Sequence, residues 1–212
     1  MAVQTHKPGT RPRGRPRLVI DETELLDAVE RLLVAGGIEG VSIERTAAEL
    51  GVSRATLYRA VRSKEHLLGR LFRRMTDELT AEGLEAVRED GRSARERLDA
   101  LIRIQIAAAI RTREYLFVFF GREWLEDEVY QDWRRFTRNF ERIWERVVAE
   151  AIEEGSLNAR DPKNATRLML GMLIWICRWY RPGDDERELA DEAIRLLGGT
   201  PESGAGPIKE DQ

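Results

Sequence analysis

The spacing of apolar residues predicts a succession of helices in this chain. The first begins at Asp21, which fits a capping box with Glu24, and it ends at Gly36 and Gly37. Its apolar stripe, spaced for one face of a helix, consists of Leu25, Val29, Leu32 and Leu33. We expect this stripe to belong to a core that covers the next segment from behind.

Residues 42–64 are predicted to form two short helices joined by a tight turn, with a third helix starting at once. Gly51 supplies the left-handed turn residue, and Ser53 caps the second short helix. Leu57 and Val61 face the core, and the outer faces carry Arg54, Ala55, Thr56, Tyr58 and Arg59. This layout is typical of a helix-turn-helix that reads DNA, although an αα-corner inside a helical bundle needs the same spacing.

Two further helices are predicted downstream of this unit. One runs from Ser63 to about Glu89 and would connect the helix-turn-helix to the rest of the chain. The other covers residues 93–113 and carries an apolar stripe in which Gln105 is the polar exception. A buried glutamine needs a hydrogen-bond partner, and either a ligand or a backbone carbonyl would supply it.

Ten aromatic residues lie between Tyr115 and Trp144. Trp133, Phe136, Phe140 and Trp144 are spaced as one face of a helix that runs to about Glu154. Such a stripe belongs to a core, but broad rigid rings also wall pockets for apolar ligands. The candidate pocket residues are Gln105, Tyr115, Phe119, Trp124, Trp133, Phe136, Phe140 and Trp175.

The C-terminal part is predicted to hold two adjacent helices. Asp161 and Pro162 open the first, which is expected to continue to Arg181 and is too broadly apolar to have a solvated side. Two such helices suggest a symmetric dimer through a four-helix bundle, whereas a monomeric core would use the same residues. The candidate interface residues are Leu168, Met172, Trp179, Leu189, Ala193 and Leu197.

Composition narrows the class of protein. Hydrophobic residues make up 42% of the 212 residues and charged residues 34%, as in ordinary soluble proteins. Cys177 is the single cysteine, no apolar run is long enough for a membrane span, and no signal-peptide core is present. We therefore expect a cytoplasmic protein without metal or cofactor. With only His6 and His66 and no catalytic set, we do not expect an enzyme.

Charge is divided unevenly along the chain. Residues 1–75 carry 14 Lys and Arg against 9 Asp and Glu, which leaves 21 against 29 in the remainder. A basic N-terminal part joined to an acidic remainder predicts that the chain contacts nucleic acid through its N-terminal part. Residues 1–17 form a basic arm, expected to be disordered, whose RPRGRPR run includes Arg13 and Arg15. The run is similar to an AT-hook for the minor groove, and generic phosphate contacts explain it equally well.

The segment GIEGVSIERTAAELGVSRATLYRAVRSKEHLL, residues 37–68, resembles the DNA-binding domain of the TetR family of transcriptional regulators. The match rests on the Gly-Ile-x-Gly lead-in, on AAxLGVS at residues 47–53, on the Thr-Leu-Tyr triplet at 56–58 and on Ser63-Lys64. Two positions depart from the family pattern. Ala60 lacks a usual phosphate contact, and Thr46 replaces an aliphatic residue. We expect Thr46 to bond to a helical carbonyl or to face DNA.

The resemblance implies an all-α fold of about nine helices and a homodimer that represses by binding a pseudo-palindromic operator. Arg54, Ala55, Thr56 and Arg59 would contact bases, whereas Ser53, Tyr58 and Lys64 would hold phosphates; Ser42 joins these DNA-binding candidates. The implied domains are the arm, a DNA-binding domain at 18–68, a ligand-binding and dimerisation domain at 69–198, and a disordered tail at 199–212.

In such a protein a small molecule in the C-terminal domain tilts the helix from Ser63 and releases the operator. The WYRPG ending of the apolar helix is similar to members that respond to acyl-CoA, fatty-acid or lactone-type effectors, so a small apolar or acyl-type effector is expected. The alternative is an architectural protein that binds AT-rich DNA through the basic arm.

Overall fold

The computed structural model describes residues 20–88, 91–116 and 127–198, and these ranges contain helices but no strand. The all-α prediction is therefore confirmed for them. The basic arm, the C-terminal tail, Phe119 and Trp124 lie outside the described residues. The elements are α1 (Glu22–Gly40), α2 (Ile43–Glu49), α3 (Arg54–Tyr58), α4 (Lys64–Ala86), α5 (Ala94–Arg111), α6 (Asp127–Glu153), α7 (Pro162–Trp175), a 3-10 turn (Ile176–Arg178) and α8 (Glu186–Leu196).

Local capping signals set most of the helix starts. The side chains of Asp21, Ser42, Ser53, Ser63, Ser93, Asp161 and Asp185 each accept a hydrogen bond from a backbone N–H in the helix that follows. Such bonds satisfy donors that the first helical turn leaves without a partner. The capping box at Ser93 and Glu96 is complete. In α1 the backbone leaves helical geometry at the predicted glycines, with φ of 59° at Gly37.

The prediction for the end of α7 was wrong. The α-helix stops at Trp175, and the chain continues as a 3-10 turn to Arg178 instead of as an α-helix to Arg181. Pro182 prevents the helix from continuing beyond the 3-10 turn, because it disfavours α-helical geometry at Arg181 and cannot donate a backbone hydrogen bond to Arg178. The last carbonyl groups of an α-helix have no intrahelical N–H donor, and a final 3-10 turn satisfies some of them.

Buried apolar residues form two clusters that α4 joins. The N-terminal cluster consists of Leu25, Leu26, Val29, Leu33, Val41, Ile43, Ala47, Leu57, Val61, Leu67, Leu68, Leu71, Phe72, Tyr115 and Val129. The C-terminal cluster is built by the second half of α4 and by α5 to α8, with Leu101, Trp144 and Leu173 fully buried in it. Since the first half of α4 lies in one cluster and the second half in the other, a displacement of α4 affects both.

Thr46 neither bonds to a helical carbonyl nor faces outward, so both expectations for it were wrong. Its exposed fraction is 0%, and its Oγ1 has no hydrogen-bond partner. The α2 face that carries Thr46 is turned into the N-terminal cluster beside Ile43 and Ala47, which are also buried. A polar atom buried without a partner lowers stability.

Thr46→Val is therefore expected to raise the free energy of unfolding by about 1 kcal/mol, because it replaces the unpaired hydroxyl with a methyl group of similar shape. Urea denaturation at a fixed protein concentration measures the change. Thr80→Val is the matched control, since the Thr80 hydroxyl donates to the carbonyl of Thr76 at 2.7 Å and its removal should bring no gain. A loss of stability in Thr46→Val would contradict the assignment.

Candidate DNA-binding surface and internal cavity

The α2–α3 unit has the geometry of a helix-turn-helix. The turn between the helices passes through Gly51, whose φ is 66°, a value that favours glycine. Ser53 caps α3 by accepting from the backbone N–H of Thr56 at 3.1 Å. Leu57 and Val61 are almost completely buried and fix the inner side of α3 against the N-terminal cluster. The opposite side of α3 is left free for a partner.

The structure brings the predicted α3 residues together on one surface. Arg54, Ala55, Tyr58 and Arg59 are exposed, and Thr56 is half-buried. The three serine and lysine candidates lie at helix starts around this surface, with Ser42 and Ser53 as the N-caps of α2 and α3 and Lys64 as the first residue of α4. Backbone N–H groups at helix starts favour anions such as phosphate.

Thr56 has a second role that the sequence did not indicate. Its Oγ1 lies 2.8 Å from Ser53 Oγ and accepts a hydrogen bond from Arg59 Nη2 at 3.2 Å. This chain of bonds holds the Arg59 guanidinium beside the exposed face of α3. A guanidinium restrained in this way loses less side-chain entropy when it binds a base or phosphate.

The cationic groups on this surface have only weak acidic partners. Arg54 Nη1 lies 3.9 Å from Glu44 Oε1, and Lys64 Nζ lies 3.8 Å from Glu39 Oε1. Exposed ion pairs of this kind contribute little to stability. A phosphate can therefore displace the carboxylates at small cost.

A cavity of about 170 Å³ lies between α4, α5, α6 and α7. Four of the predicted pocket residues, Gln105, Trp133, Phe136 and Phe140, line it. The rings of Phe136 and Phe140 stack with their centroids 5.3 Å apart. The other lining residues are Phe72, Met75, Leu79, Ala108, Ala109, Arg111, Thr112, Leu116, Thr137, Glu141, Leu170 and Ile174.

Apart from Gln105 on α5, sequence reasoning did not identify the residues that α4 and α5 contribute to this cavity. Phe72, Met75 and Leu79 come from α4, the helix that follows the helix-turn-helix, and were not among the predicted pocket residues. The alanine run at residues 107–109 was a usable signal, because small side chains opposite large aromatic rings leave space between two helices. Ala108 and Ala109 do line the cavity.

Tyr115 and Trp175 do not line this cavity, contrary to the prediction. Tyr115 is buried in the N-terminal cluster, where its hydroxyl donates to Glu30 Oε1 at 2.9 Å. Burial, and then the bond to Glu30, raise the pKa of Tyr115 above its usual value, so the hydroxyl remains a donor. Trp175 is 58% exposed on the outer side of α7. The density of aromatic residues in the sequence does not reveal which helix face each one occupies.

Gln105 is the polar exception inside the cavity. Its exposed fraction is 4%, and its Oε1 is buried without a hydrogen-bond partner. A backbone carbonyl, the protein partner that the sequence left open, could accept only from the Nε2 of this amide and cannot pair with Oε1. An acceptor left unpaired in a buried site lowers stability unless something that enters the cavity pairs with it.

The outer faces of α7 and α8, and the segment between them, expose large apolar side chains. Leu168 is 75% exposed, Trp175 58%, Trp179 48% and Leu196 70%, and Met172 lies beside them at 38%. Leu189 and Leu197 are half-buried. Ala193, also predicted for the interface, packs in the C-terminal cluster with 6% exposure and also lines the groove that Met172 and Trp179 line. The remaining side chains form an apolar face that a second copy could cover.

Among the described residues, no three or more His, Cys, Asp and Glu side chains come together as a possible metal site. None of the helices in those same ranges combines the length and apolar character that a membrane span needs.

Family models match most of the chain. Residues 25–71 match the model for bacterial regulatory proteins of the tetR family, and residues 91–199 match the tetracyclin repressor-like C-terminal domain. None of the curated proteins matches the chain.

Solved structures share the fold. A TetR/AcrR-family transcriptional regulator from Thermobifida fusca is 26% identical with a TM-score of 0.72, and the match covers 83% of this chain and 95% of that one. AibR in complex with isovaleryl coenzyme A and operator DNA is 24% identical, with a TM-score of 0.73 and coverage of 84% and 98%. The ketosteroid transcriptional regulator KstR2 of Mycobacterium tuberculosis is 20% identical, with a TM-score of 0.70 and coverage of 83% and 92%.

Proposed function

Because this chain belongs to the TetR family of bacterial transcriptional regulators, we propose that it is a ligand-responsive repressor that binds a pseudo-palindromic operator as a dimer. Members of the family are DNA-binding regulators with an N-terminal helix-turn-helix domain and a C-terminal helical domain. The effector in this proposal is a small apolar or acyl-type molecule that enters the cavity between α4 and α7. The protein would act in the cytoplasm, where the operator is.

The position of Phe72 is the observation that carries the proposal. Phe72 belongs to the N-terminal cluster that supports the helix-turn-helix, and it also lines the cavity. It lies on α4, which begins directly after the helix-turn-helix at Lys64. A ligand that displaces this ring must therefore displace either α4 or the packing beneath α3.

Hydrogen bonds also connect α1 to α4 and to Tyr115, close to the cavity. Arg74 on α4 donates to Asp27 and to Glu30 on α1, each at 2.6 Å. Tyr115, three residues after the cavity residue Thr112, donates to the other oxygen of Glu30. These bonds support a mechanism in which movement at the cavity is transmitted to α1 and α4 together.

Release of DNA would then be a shift between two states. The two α3 helices of a dimer must lie about 34–36 Å apart to enter successive major grooves. An effector that binds more tightly to a conformer with another spacing shifts the population away from the DNA-binding state. The exposed apolar face of α7 and α8 supports the second copy that this mechanism requires.

The test of the DNA-binding assignment compares Arg54→Ala with Lys64→Ala on a duplex selected from a random library and on random duplex. Arg54→Ala should cost about 1–3 kcal/mol on the selected duplex and relax specificity at one base position, since a bidentate base contact is lost. Lys64→Ala should weaken both duplexes alike, because a phosphate contact carries no sequence information. Fluorescence anisotropy at one fixed salt concentration measures both, and equal losses for Arg54→Ala would contradict base reading.

The architectural alternative rests on the RPRGRPR run between Arg11 and Arg17. Deletion of residues 1–17 separates the two functions. A repressor that reads bases through α3 should bind its selected duplex more weakly and keep its sequence preference. An architectural protein should lose nearly all of its DNA binding. The same anisotropy titration at several salt concentrations decides between them.

A further inference from the structure

Arg59 differs from other arginines of the N-terminal part in the group that holds its side chain. Arg31, Arg70 and Arg74 are each paired with a carboxylate. The Arg59 guanidinium donates instead to a hydroxyl, Thr56 Oγ1, at 3.2 Å, and among the described residues it has no carboxylate partner. A neutral acceptor leaves the positive charge of Arg59 uncompensated on the exposed surface of α3, so the charge is available to a partner.

We propose that Arg59 contacts the major-groove edge of a guanine, and that Thr56 determines this specificity by holding the guanidinium through its hydroxyl without touching the base. The inference rests on the proposed function, because it assumes that α3 enters the major groove. It changes the role of Thr56 from the base contact that the family resemblance implied to the positioning of another side chain.

The bond to Thr56 directs Arg59 toward the bases. Arg59 is the C-cap of α3, and Thr56 lies three residues before it. Residues three apart lie on one face of a helix, and long side chains lean toward its N-terminus. The bond therefore holds the charged end of Arg59 back along α3. Because the N-terminal residues of a recognition helix meet the base edges, this direction favours a base over a phosphate beyond the end of the helix.

The linked side chains of Ser53, Thr56 and Arg59 offer mainly hydrogen-bond donors. Ser53 Oγ accepts from the backbone N–H of Thr56 at 3.1 Å and shares one hydrogen with Thr56 Oγ1 at 2.8 Å. Whichever hydroxyl donates, roughly one hydroxyl hydrogen and one lone pair stay unused, and about four of the five guanidinium N–H groups are left as well. A matching partner must therefore present acceptors.

Two other groups on this surface can accept a hydrogen bond, and both belong to another side of it. The Glu44 carboxylate lies 3.9 Å from Arg54 Nη1. Tyr58 precedes Arg59 directly, so its side chain points about 100° away around the helix. Neither group supplies an acceptor to the Arg59 guanidinium.

Guanine is the base whose major-groove edge matches these donors. It presents two acceptors, N7 and O6, which a guanidinium binds with two parallel hydrogen bonds. Adenine and cytosine each present an amino donor, and thymine presents one acceptor beside a methyl group. The unpaired hydrogens of Arg59 would meet a donor or a methyl group on these bases, so they are discriminated against.

Two substitutions separate the hydroxyl of Thr56 from its methyl group. Thr56→Val keeps the shape and removes the hydroxyl, whereas Thr56→Ser keeps the hydroxyl and removes the methyl group. The full-length wild type and variants are titrated by fluorescence anisotropy on the duplex that the wild type selects from a random library. The same titrations use copies in which one guanine at a time is replaced by adenine, or by 7-deazaguanine, which lacks the N7 acceptor.

The wild type should bind at least about tenfold more weakly when one particular guanine is replaced, because a two-bond base contact is lost. Arg59→Ala should not discriminate at that position. Thr56→Val should lose most of the discrimination, and Thr56→Ser should retain it. In the Arg59→Ala background, Thr56→Val should have no further effect. Its affinity for random duplex and its unfolding temperature should equal those of the wild type, which a general structural defect would lower.

Three results would overturn the inference. Discrimination that survives in Thr56→Val and is lost in Thr56→Ser would show that the methyl group contacts a base. Equal losses on all duplexes for Arg59→Ala would show that Arg59 holds a phosphate. Wild-type binding that is unchanged by 7-deazaguanine at every guanine would exclude the N7 contact without any protein variant.

The selection itself separates this inference from the proposed function. If the wild type selects no preferred sequence from the random library, the repressor function fails. If it selects a sequence and one of the three results above is found, only the assignment of Arg59 and Thr56 fails.

Discussion

Replacing Met172 and Trp175 together with glutamate is expected to convert the protein to a monomer and to lower its apparent affinity for the selected duplex by about 10²–10⁴-fold. Both side chains lie on the exposed apolar face of α7, at 38% and 58% exposure. In a dimer that covers this face, four carboxylates would be buried without partners, which costs several kcal/mol. A monomer has a single helix-turn-helix, so it loses the increase in affinity that two linked units provide when both bind one duplex.

The apolar face itself argues that a partner covers it. Leu168 and Leu196 are 75% and 70% exposed, and a groove on this face is lined by Met172 and Trp175 of α7, by Leu196 of α8 and by Trp179 between the two helices. Large contiguous apolar surface is uncommon on a soluble monomer, because its exposure to water is unfavourable. A symmetric dimer buries the same surface on both copies.

Leu84→Glu is the control for the added charge. Leu84 is 52% exposed on α4, away from α7 and α8 in sequence, and a glutamate there should leave both the molecular mass and the DNA affinity unchanged. Sedimentation analysis measures the mass, and anisotropy measures the affinity. A Met172→Glu, Trp175→Glu variant that still sediments as a dimer would place the interface on another surface.

Trp144→Ala is expected to lower the free energy of unfolding by about 3–5 kcal/mol. The Trp144 side chain is fully buried in the C-terminal cluster, beside Phe140 at a ring distance of 6.4 Å. Its removal leaves a cavity beside Phe140, which already lines the neighbouring cavity. Thermal and urea unfolding at equal protein concentration measure the loss, because the stability of a dimer depends on concentration.

Trp144→Phe provides the comparison. The Nε1 of Trp144 is buried without a hydrogen-bond partner, so phenylalanine removes an unpaired donor while it loses part of the ring volume. These two effects oppose each other, and the net change should be well below that of the alanine variant. If alanine cost less than about 1 kcal/mol, the packing around α6 would have to be looser than the burial of this side chain indicates.

Features encoded by neighbouring residues were predictable from the sequence. Ser53, Ser63 and Ser93 cap the helices that they were expected to cap, and Gly51 has the left-handed turn geometry that the helix-turn-helix requires. Each of these signals acts within four residues, so its effect does not depend on the rest of the fold. The all-α architecture followed from the same local patterns.

Features that depend on packing between distant segments were only partly predictable. Gln105 was recognised as a polar exception in an apolar stripe, and it does line the cavity. Thr46, Tyr115 and Trp175 were placed on the wrong surface, since a residue type and a helical period do not identify the helix that will pack on each face.

Tyr115 and Val129 belong to the N-terminal cluster, although α3 ends at Tyr58, far earlier in the chain. During synthesis the chain emerges from the ribosome with its N-terminus first, and segments fold when their packing partners have appeared. We therefore expect that α3 does not acquire its final support until translation has passed Val129. A nascent chain that ends before Val129 lacks part of the N-terminal cluster that packs against α3. We therefore expect operator binding to begin only after this part of the chain has been translated.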